Sequence, residues 1–356
     1  MTSRWTMAGW MALTLMLQGC GAGLSYYAQA LGGQWELWRK ARPVAEVLAD
    51  PSTPETLRQR LGLVERLRHF ARSRLLLPDG GSYRHYADLG RDHAVWVVHA
   101  APPLDLTPVA NCFPVVGCLA YRGYFDRARA QARARDLAGQ GMDVFDGPVA
   151  AYSTLGWMDD PLLNTWIHWE EAALAGLIFH ELAHEQLYVA DDTAFNEGYA
   201  EAVGRIGTDL WLTDRGDSDA RERWRAQIAH AQGFQSLVAA ARQRLAALYA
   251  QGLPRDAALA AKEKELERLR QDYANFARQR REKPVKSTWL ASGLNNARLN
   301  AVSLYSRWVP AFLELQRQVG GDMARFHAAA AALGRLPPAQ REERLAELAR
   351  GAGSEP

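Results

Sequence analysis

The sequence predicts an α+β fold, with a small mixed sheet mid-chain, a histidine-bearing helix directly after it and a mostly helical C-terminal half. Three observations carry this. Four segments between residues 81 and 157 are rich in β-branched and aromatic residues and alternate with turn and loop stretches. WEEAALAGLIFHELAH (169–184) then has helical composition, with Leu174, Leu177, Ile178 and Leu182 available for burial. After residue 204 apolar residues recur at helical spacing almost to the end. The 356 residues are 48% hydrophobic and 23% charged, an ordinary globular balance for one large domain or two modest ones. With 42 basic against 40 acidic residues, no net field recruits nucleic acid.

The N-terminus stands apart. Arg4 precedes an apolar run from Trp5 to Leu17 that is short for a bilayer span and matches the core of a secretory signal. Its ending, LQGC, resembles the bacterial lipobox, although Gln18 is a less usual occupant; an uncleaved signal anchor is the alternative. The resemblance implies removal of residues 1–19, lipidation of Cys20 and a lipid-anchored segment over 20–50; the main folded domain is expected over 51–350. It places the chain in the cell envelope, held to a membrane through Cys20. Gly21, where an aspartate would signal inner-membrane retention, favours an outer membrane facing the periplasm. In such an oxidising compartment Cys112 and Cys118, in NCFPVVGC, favour a disulfide over a zinc site, since no second soft pair lies nearby.

The following stretch, YYAQALGGQWELWRKARP, reads as helical segments broken at Gly32–Gly33 and Pro43. Leu57, Leu61, Val64, Leu67 and Phe70 then mark an amphipathic helix, and PDGG (78–81) a turn. GSYRHYADL (81–89), AVWVVHA (94–100), VVGCLAYRGYF (115–125) and DVFDGPVAAYSTLGW (143–157) read as strands. Within the last, AAYSTLG (150–156) is the natural edge against which an extended peptide can pair. DRARAQARARDLA (126–138) is a helix with a solvated basic face. Two apolar stripes, Phe234 to Leu248 and Leu259 to Phe276, flank GLP (252–254) and predict a helical hairpin over about 233–283, a surface open to a protein partner. A last long helix over about 292–319 has Pro310 as a kink.

The chemistry concentrates in FHELAHEQLYVADDTAFNEGYAEAVG (179–204). On a helix, His180 and His184 stand one above the other, spaced to grip one ion. Glu181 is turned away from the ion and can reach a water on it. A catalytic zinc usually takes a third protein ligand, and Glu197 is the best candidate if VADD forms a turn and Asp192 or Thr193 caps a second helix. Glu201, one turn on, either accepts a hydrogen bond from a ligating histidine or is a plain surface glutamate. Gly198 would let the two helices approach.

HELAH followed by NEGYA is similar to the aminopeptidase N pattern, in which the glutamate of a downstream NEG-aromatic-A is the third zinc ligand. That resemblance carries zinc ligation onto His180, His184 and Glu197 and the general-base role onto Glu181. The chain departs from that pattern in its shorter spacer and in lacking a GAMEN-like segment for the substrate amine. A closer resemblance, covering most of the chain, is to a family of bacterial lipoproteins described as predicted aminopeptidases. It rests on GCGAGLSYYAQALGGQWELWRKARP, CFPVVGCLAYRGYF, YSTLGWMDDPLL, FHELAHEQLYVADDTAFNEGYAE and LNNARLNAVSLY.

The expectation is a zincin-like, one-zinc peptidase, an aminopeptidase acting on peptide substrates. Tyr305 is the preferred donor to the oxyanion by analogy, with Tyr121, Tyr124 and His230 as others. Asp159 and Asp160 can meet a substrate amine. Two other readings stay open: a zinc amidase or endopeptidase acting on cell-envelope peptides, and a non-catalytic lipoprotein whose zinc only ties two helices together.

Overall fold

The computed structural model describes residues 26–113, 117–151, 154, 159–280, 289–290, 293–304 and 306–352. The expected signal segment, Cys20 and Tyr305 lie outside the described residues. The described chain is mixed α/β, mostly helical with small sheets. It opens with a helix over residues 26–40 (α1), a two-residue strand Arg42–Pro43 (β1), a short helix Val44–Ala49 (α2) and the amphipathic helix Glu55–Arg74 (α3). The glycine pair does not break α1. A Cβ built on Gly33 would lie 2.0 Å from the Phe125 ring, so the bare backbone lets that ring pack against the helix. This contact offsets the helix-weakening entropy of glycine. The helix ends just before Pro43.

Next come strands β2 (His85–Ala87), β3 (Val95–Ala101), β4 (Asn111–Phe113), β5 (Gly117–Leu119) and β6 (Arg122–Tyr124), helix α4 (Arg127–Gly139), and strands β7 (Asp143–Val149) and β8 (Leu162–Leu163). They form three small sheets instead of the expected single one. β2 lies between antiparallel β1 and parallel β8; β3 lies between antiparallel β6 and β7; β4 and β5 make a separate ribbon. Two local features divide them. Tyr83 and Gly90 take left-handed backbone, φ 64° and 65°, on either side of β2 and cut that run to three residues. Cys112 faces Cys118 across the ribbon and is joined to it, so the segment read as one strand is shared between β5 and β6. Of the expected edge strand, Tyr152, Ser153, Leu155 and Gly156 lie outside the described residues, and Ala150, Ala151 and Thr154 belong to no strand.

α4 covers one face of the β3 sheet, with Ala130, Ala134 and Leu137 against Val98, Ala100 and Tyr124. His99 of β3 is buried, ringed by Tyr121 and Phe145 at centroid distances of 5.5 and 5.9 Å, and its Nδ1 has no hydrogen-bond partner among the described residues. Burial pushes its pKa down to about 4. The unfolded chain, with an ordinary histidine near 6.5, binds the extra proton between those values, so stability falls as pH drops from about 6.5 to about 4. The loss at the lower limit is about 3 kcal/mol. Denaturant melts of His99→Phe are expected to lose less stability than wild type across this window; equal acid slopes would refute the assignment.

The helical half begins with α5 (Glu171–Gln186) and α6 (Thr193–Asp214), followed by the hairpin α7 (Ser218–Tyr249) and α8 (Arg255–Gln279). Then come α9 (Asn296–Leu304), α10 (Val309–Gln318), α11 (Met323–Gly334) and α12 (Pro338–Gly351). The expected kinked helix is two helices, because Pro310 sits in the first turn of α10, where its missing N–H costs nothing. The hairpin closes over Phe234, Val238, Ala241 and Leu245 against Leu266, Leu269 and Tyr273. Buried Lys262 anchors it to the β3 sheet by pairing with Asp143 and donating to the Pro103 carbonyl at 3.0 Å. Asn296 donates its side-chain amide to the carbonyls of Pro102, Pro103 and Asp105. The NNARLN stretch thus ties the sheet's loop to the helices.

Candidate metal centre

α5 buries Leu174, Ile178, Phe179 and Leu182 and packs mainly on α6 and α3. With that side held in the core, His180 and His184, one turn apart, are directed at α6 and are buried themselves. The helix stops at Gln186, where Leu187 turns extended, and Asp191 takes left-handed backbone, φ 64°. Three side chains hold the short loop between the helices. Asn196 accepts from the Val189 N–H at 2.8 Å and donates to its carbonyl at 2.7 Å. Asp192 caps α6 by accepting from the Phe195 N–H at 3.0 Å. Asp191 accepts from the Cys118 N–H at 2.7 Å, which docks the disulfide ribbon on the same loop.

Glu197 therefore enters one turn into α6, facing back to the histidines. The helices close up at Gly204, where an added Cβ would lie 2.8 Å from the Gly176 carbonyl oxygen and 3.5 Å from His180 Cβ. Gly198, the expected site of close approach, instead faces Trp308, 2.9 Å from its Cβ. Gly204→Val is expected to push α6 off α5 and separate Glu197 from the histidines. Overpacking of this kind costs about 1–3 kcal/mol. Chemical denaturation and zinc titration check it, and unchanged stability with unchanged affinity would refute the role of Gly204.

The two Nε2 atoms of His180 and His184 are 3.2 Å apart, and Glu197 Oε2 lies 3.3 and 3.8 Å from them. Three donors each about 2.0–2.2 Å from one tetrahedral zinc stand roughly 3.3–3.6 Å from one another, so these residues fit a shared ion. Glu197 Oε2 is buried and makes no hydrogen bond of acceptable geometry among the described residues, a cost that a bound cation removes. Burial lowers the His184 pKa to about 4, leaving a neutral imidazole with a free lone pair. Burial alone would also lower His180, but the carboxylates of Glu197 and Glu201 beside it outweigh burial and raise this histidine well above its ordinary value. Burial likewise works against Glu197 ionisation, yet the two histidines hold its carboxyl below the usual range. A metal at these residues competes with the His180 proton, so its affinity rises with pH.

Glu201 stands on the other side of His180. Its Oε2 is 3.7 Å from Nδ1, an ion-pair separation, while Oε1 accepts from buried Arg205 Nε at 2.7 Å. Glu181 lies outside the ligand triad and beside Tyr83, whose hydroxyl is raised far above its ordinary pKa by burial and then by the charges of Glu181, Asp160 and Glu185.

A sequence model of the family described as "Putative aminopeptidase" matches residues 25–345. The chain belongs to this family. No curated protein and no solved structure matches it. The match that identifies this aminopeptidase-family chain spans both histidines, Glu197 and the hairpin.

Of the other residues named from the family chain's sequence, Tyr121, Tyr124 and His230 pack elsewhere, while Asp159 and Asp160 act on groups beside the centre. Tyr124 packs with Tyr26, Tyr121 with His99, and His230 with Tyr273 and Phe276. Asp160 is buried, and its carboxylate accepts from the Thr154 N–H at 2.7 Å. Asp159 lies over Gly81, and its charge, after burial and a Ser82 hydrogen bond, acts on Glu185 of α5. Two tyrosines escape sequence reasoning. Tyr83 is nearly a hundred residues upstream, with no spacing to betray it. Tyr188 follows His184 by four positions, a helical offset that was available as a signal. Its hydroxyl is raised by burial and then by Glu197 and Asp191.

Proposed function

We propose that this chain is a zinc-dependent aminopeptidase with a zincin-like catalytic region, tethered by lipid on Cys20 to an outer membrane facing the periplasm. The convergence of His180, His184 and Glu197 around an orphaned carboxylate oxygen, with Glu181 adjacent, carries the reading. The three would hold the ion. When bound, zinc supplies Lewis acidity and an acidified water near neutral pH.

Glu181 takes the proton of the attacking water and passes it to the departing nitrogen, so one carboxylate serves as base and then acid. Glu201, steadied by Arg205, orients His180. Tyr188, less buried than Tyr83, can donate to the substrate carbonyl oxygen, a role the sequence assigned to Tyr305. Glu185, one turn beyond Glu181 on α5, forms with Asp159 an acidic pair suited to a free α-amine. A non-catalytic zinc tie has no use for a carboxylate at Glu181, which favours catalysis.

The test is metal content by mass spectrometry together with hydrolysis of matched free-amine and blocked peptides. Bound zinc with cleavage of free-amine peptides is the expected result. Bound zinc without cleavage of either set would overturn the enzyme reading. Cleavage confined to blocked peptides would replace the aminopeptidase by an endopeptidase or amidase of the envelope.

A further inference from the structure

α1 is docked firmly on its inner side. Tyr26 packs on the rings of Phe113 and Tyr124 and under the Arg122 guanidinium, 3.7 Å from the ring centroid. Gln29 accepts from the Phe125 N–H at 3.0 Å, and Gly33 backs onto the Phe125 ring. Glu36 pairs with Arg91 at 2.9 Å, and Lys40 donates to the Leu89 carbonyl at 2.9 Å. Leu37 is fully buried. These contacts leave the helix one fixed outward face.

That face is apolar. Tyr27, Leu31, Trp35 and Trp38 are 42%, 70%, 65% and 45% exposed. At about 100° per residue their side chains fall within an arc of roughly 80°. Seven large apolar side chains are exposed among the described residues, and four of them stand in this one stripe, a concentration unlike the single scattered residues normal on protein surfaces. Ala28 and Gly32 extend the face, and Arg39 at its end is the one charge on it.

The chemistry and the position of the stripe select one occupant. Tryptophan and tyrosine are the side chains that settle at the headgroup level of a bilayer, and an in-plane helix buries its apolar face there. Only six chain steps separate Cys20 from Tyr26. At about 3.3–3.6 Å each, that tether is at most roughly 20 Å long, so a lipid on Cys20 delivers the stripe to the membrane surface.

We infer that α1 lies in the plane of the bilayer, with Tyr27, Leu31, Trp35 and Trp38 seated at the lipid interface as a second anchor. The inference builds on the lipid tether proposed above. It makes α1 the element that orients the catalytic region on the membrane, through its contacts with Phe113, Tyr124 and Phe125.

The test uses the full chain reconstituted into phosphatidylethanolamine–phosphatidylglycerol vesicles, with nitroxide labels placed by Leu31→Cys or Trp35→Cys and, as a water-exposed reference, Leu253→Cys. Both stripe positions are expected to show an oxygen-to-nickel accessibility ratio several-fold above the reference. Nickel accessibility equal to the reference at both stripe positions would overturn the inference. So would exclusion of both reagents, which means that a second copy or another protein covers the stripe. Mass spectrometry of the N-terminal peptide separates the two readings. Lipidated Cys20 with water-exposed labels defeats the second anchor alone, and unmodified Cys20 with lipid-seated labels defeats the lipid tether alone.

Discussion

Glu181→Gln is expected to leave the chain folded and zinc-loaded while lowering peptide hydrolysis by about 10²–10⁴-fold, the usual contribution of a positioned proton carrier. Glutamine keeps the shape and the hydrogen-bonding oxygen but has no basic carboxylate to take a proton from water. The ion should stay, because the triad His180, His184 and Glu197 closes without Glu181. Tyr83 supplies an independent readout. Part of the rise in its hydroxyl pKa comes from the Glu181 charge, so the substitution should bring that pKa down even if no substrate is known. Parallel loss of zinc and activity would make Glu181 a structural residue, and unchanged activity would remove it from the mechanism.

Glu197→Gln should act on the metal itself. Two neutral imidazoles remain, the carboxylate that balances the ion's charge is gone, and an amide oxygen is a poor ligand for zinc. Losing an outer partner of a ligand typically costs 10- to 100-fold in metal affinity, which is the expectation for Glu201→Gln, since Glu201 lies outside the triad and pairs with His180 and Arg205. Glu197→Gln is expected to lose more than that. Zinc that binds only the folded chain raises its melting temperature in proportion to the affinity. The wild type should therefore show a zinc-dependent rise, Glu201→Gln a smaller one, and Glu197→Gln almost none. Equal rises for Glu197→Gln and wild type would refute the ligand assignment.

Much of the centre was legible from spacing alone. A helical period puts His180 and His184 on one face whatever surrounds them, and the turn chemistry of VADD with Asp192 as cap gives α6 its start. Glu197 follows one turn later. The sheet was less legible. The apolar runs of residues 81–157 do not reveal that Tyr83 and Gly90 have left-handed backbone, nor that the ribbon at Cys112–Cys118 pairs with itself. Glycine was misread twice for one reason. Gly33, read as a helix break, backs onto Phe125, and the close approach expected at Gly198 falls at Gly204 against Gly176, because local rules do not see residues distant in sequence.

The sequence by itself determined the ligand types, their spacing on two successive helices and the loop that reverses the chain between them. These are local properties, set by helical period, capping and turn residues. Only the tertiary structure decided which histidine is raised and which is lowered in pKa, which glycine brings the helices together, and that Arg205 and Glu201 back His180 while Tyr83 and Tyr188 border the carboxylates. Burial and charge at a side chain depend on every segment packed around it, and those segments come from Leu75 to Trp308. No window along the chain contains them.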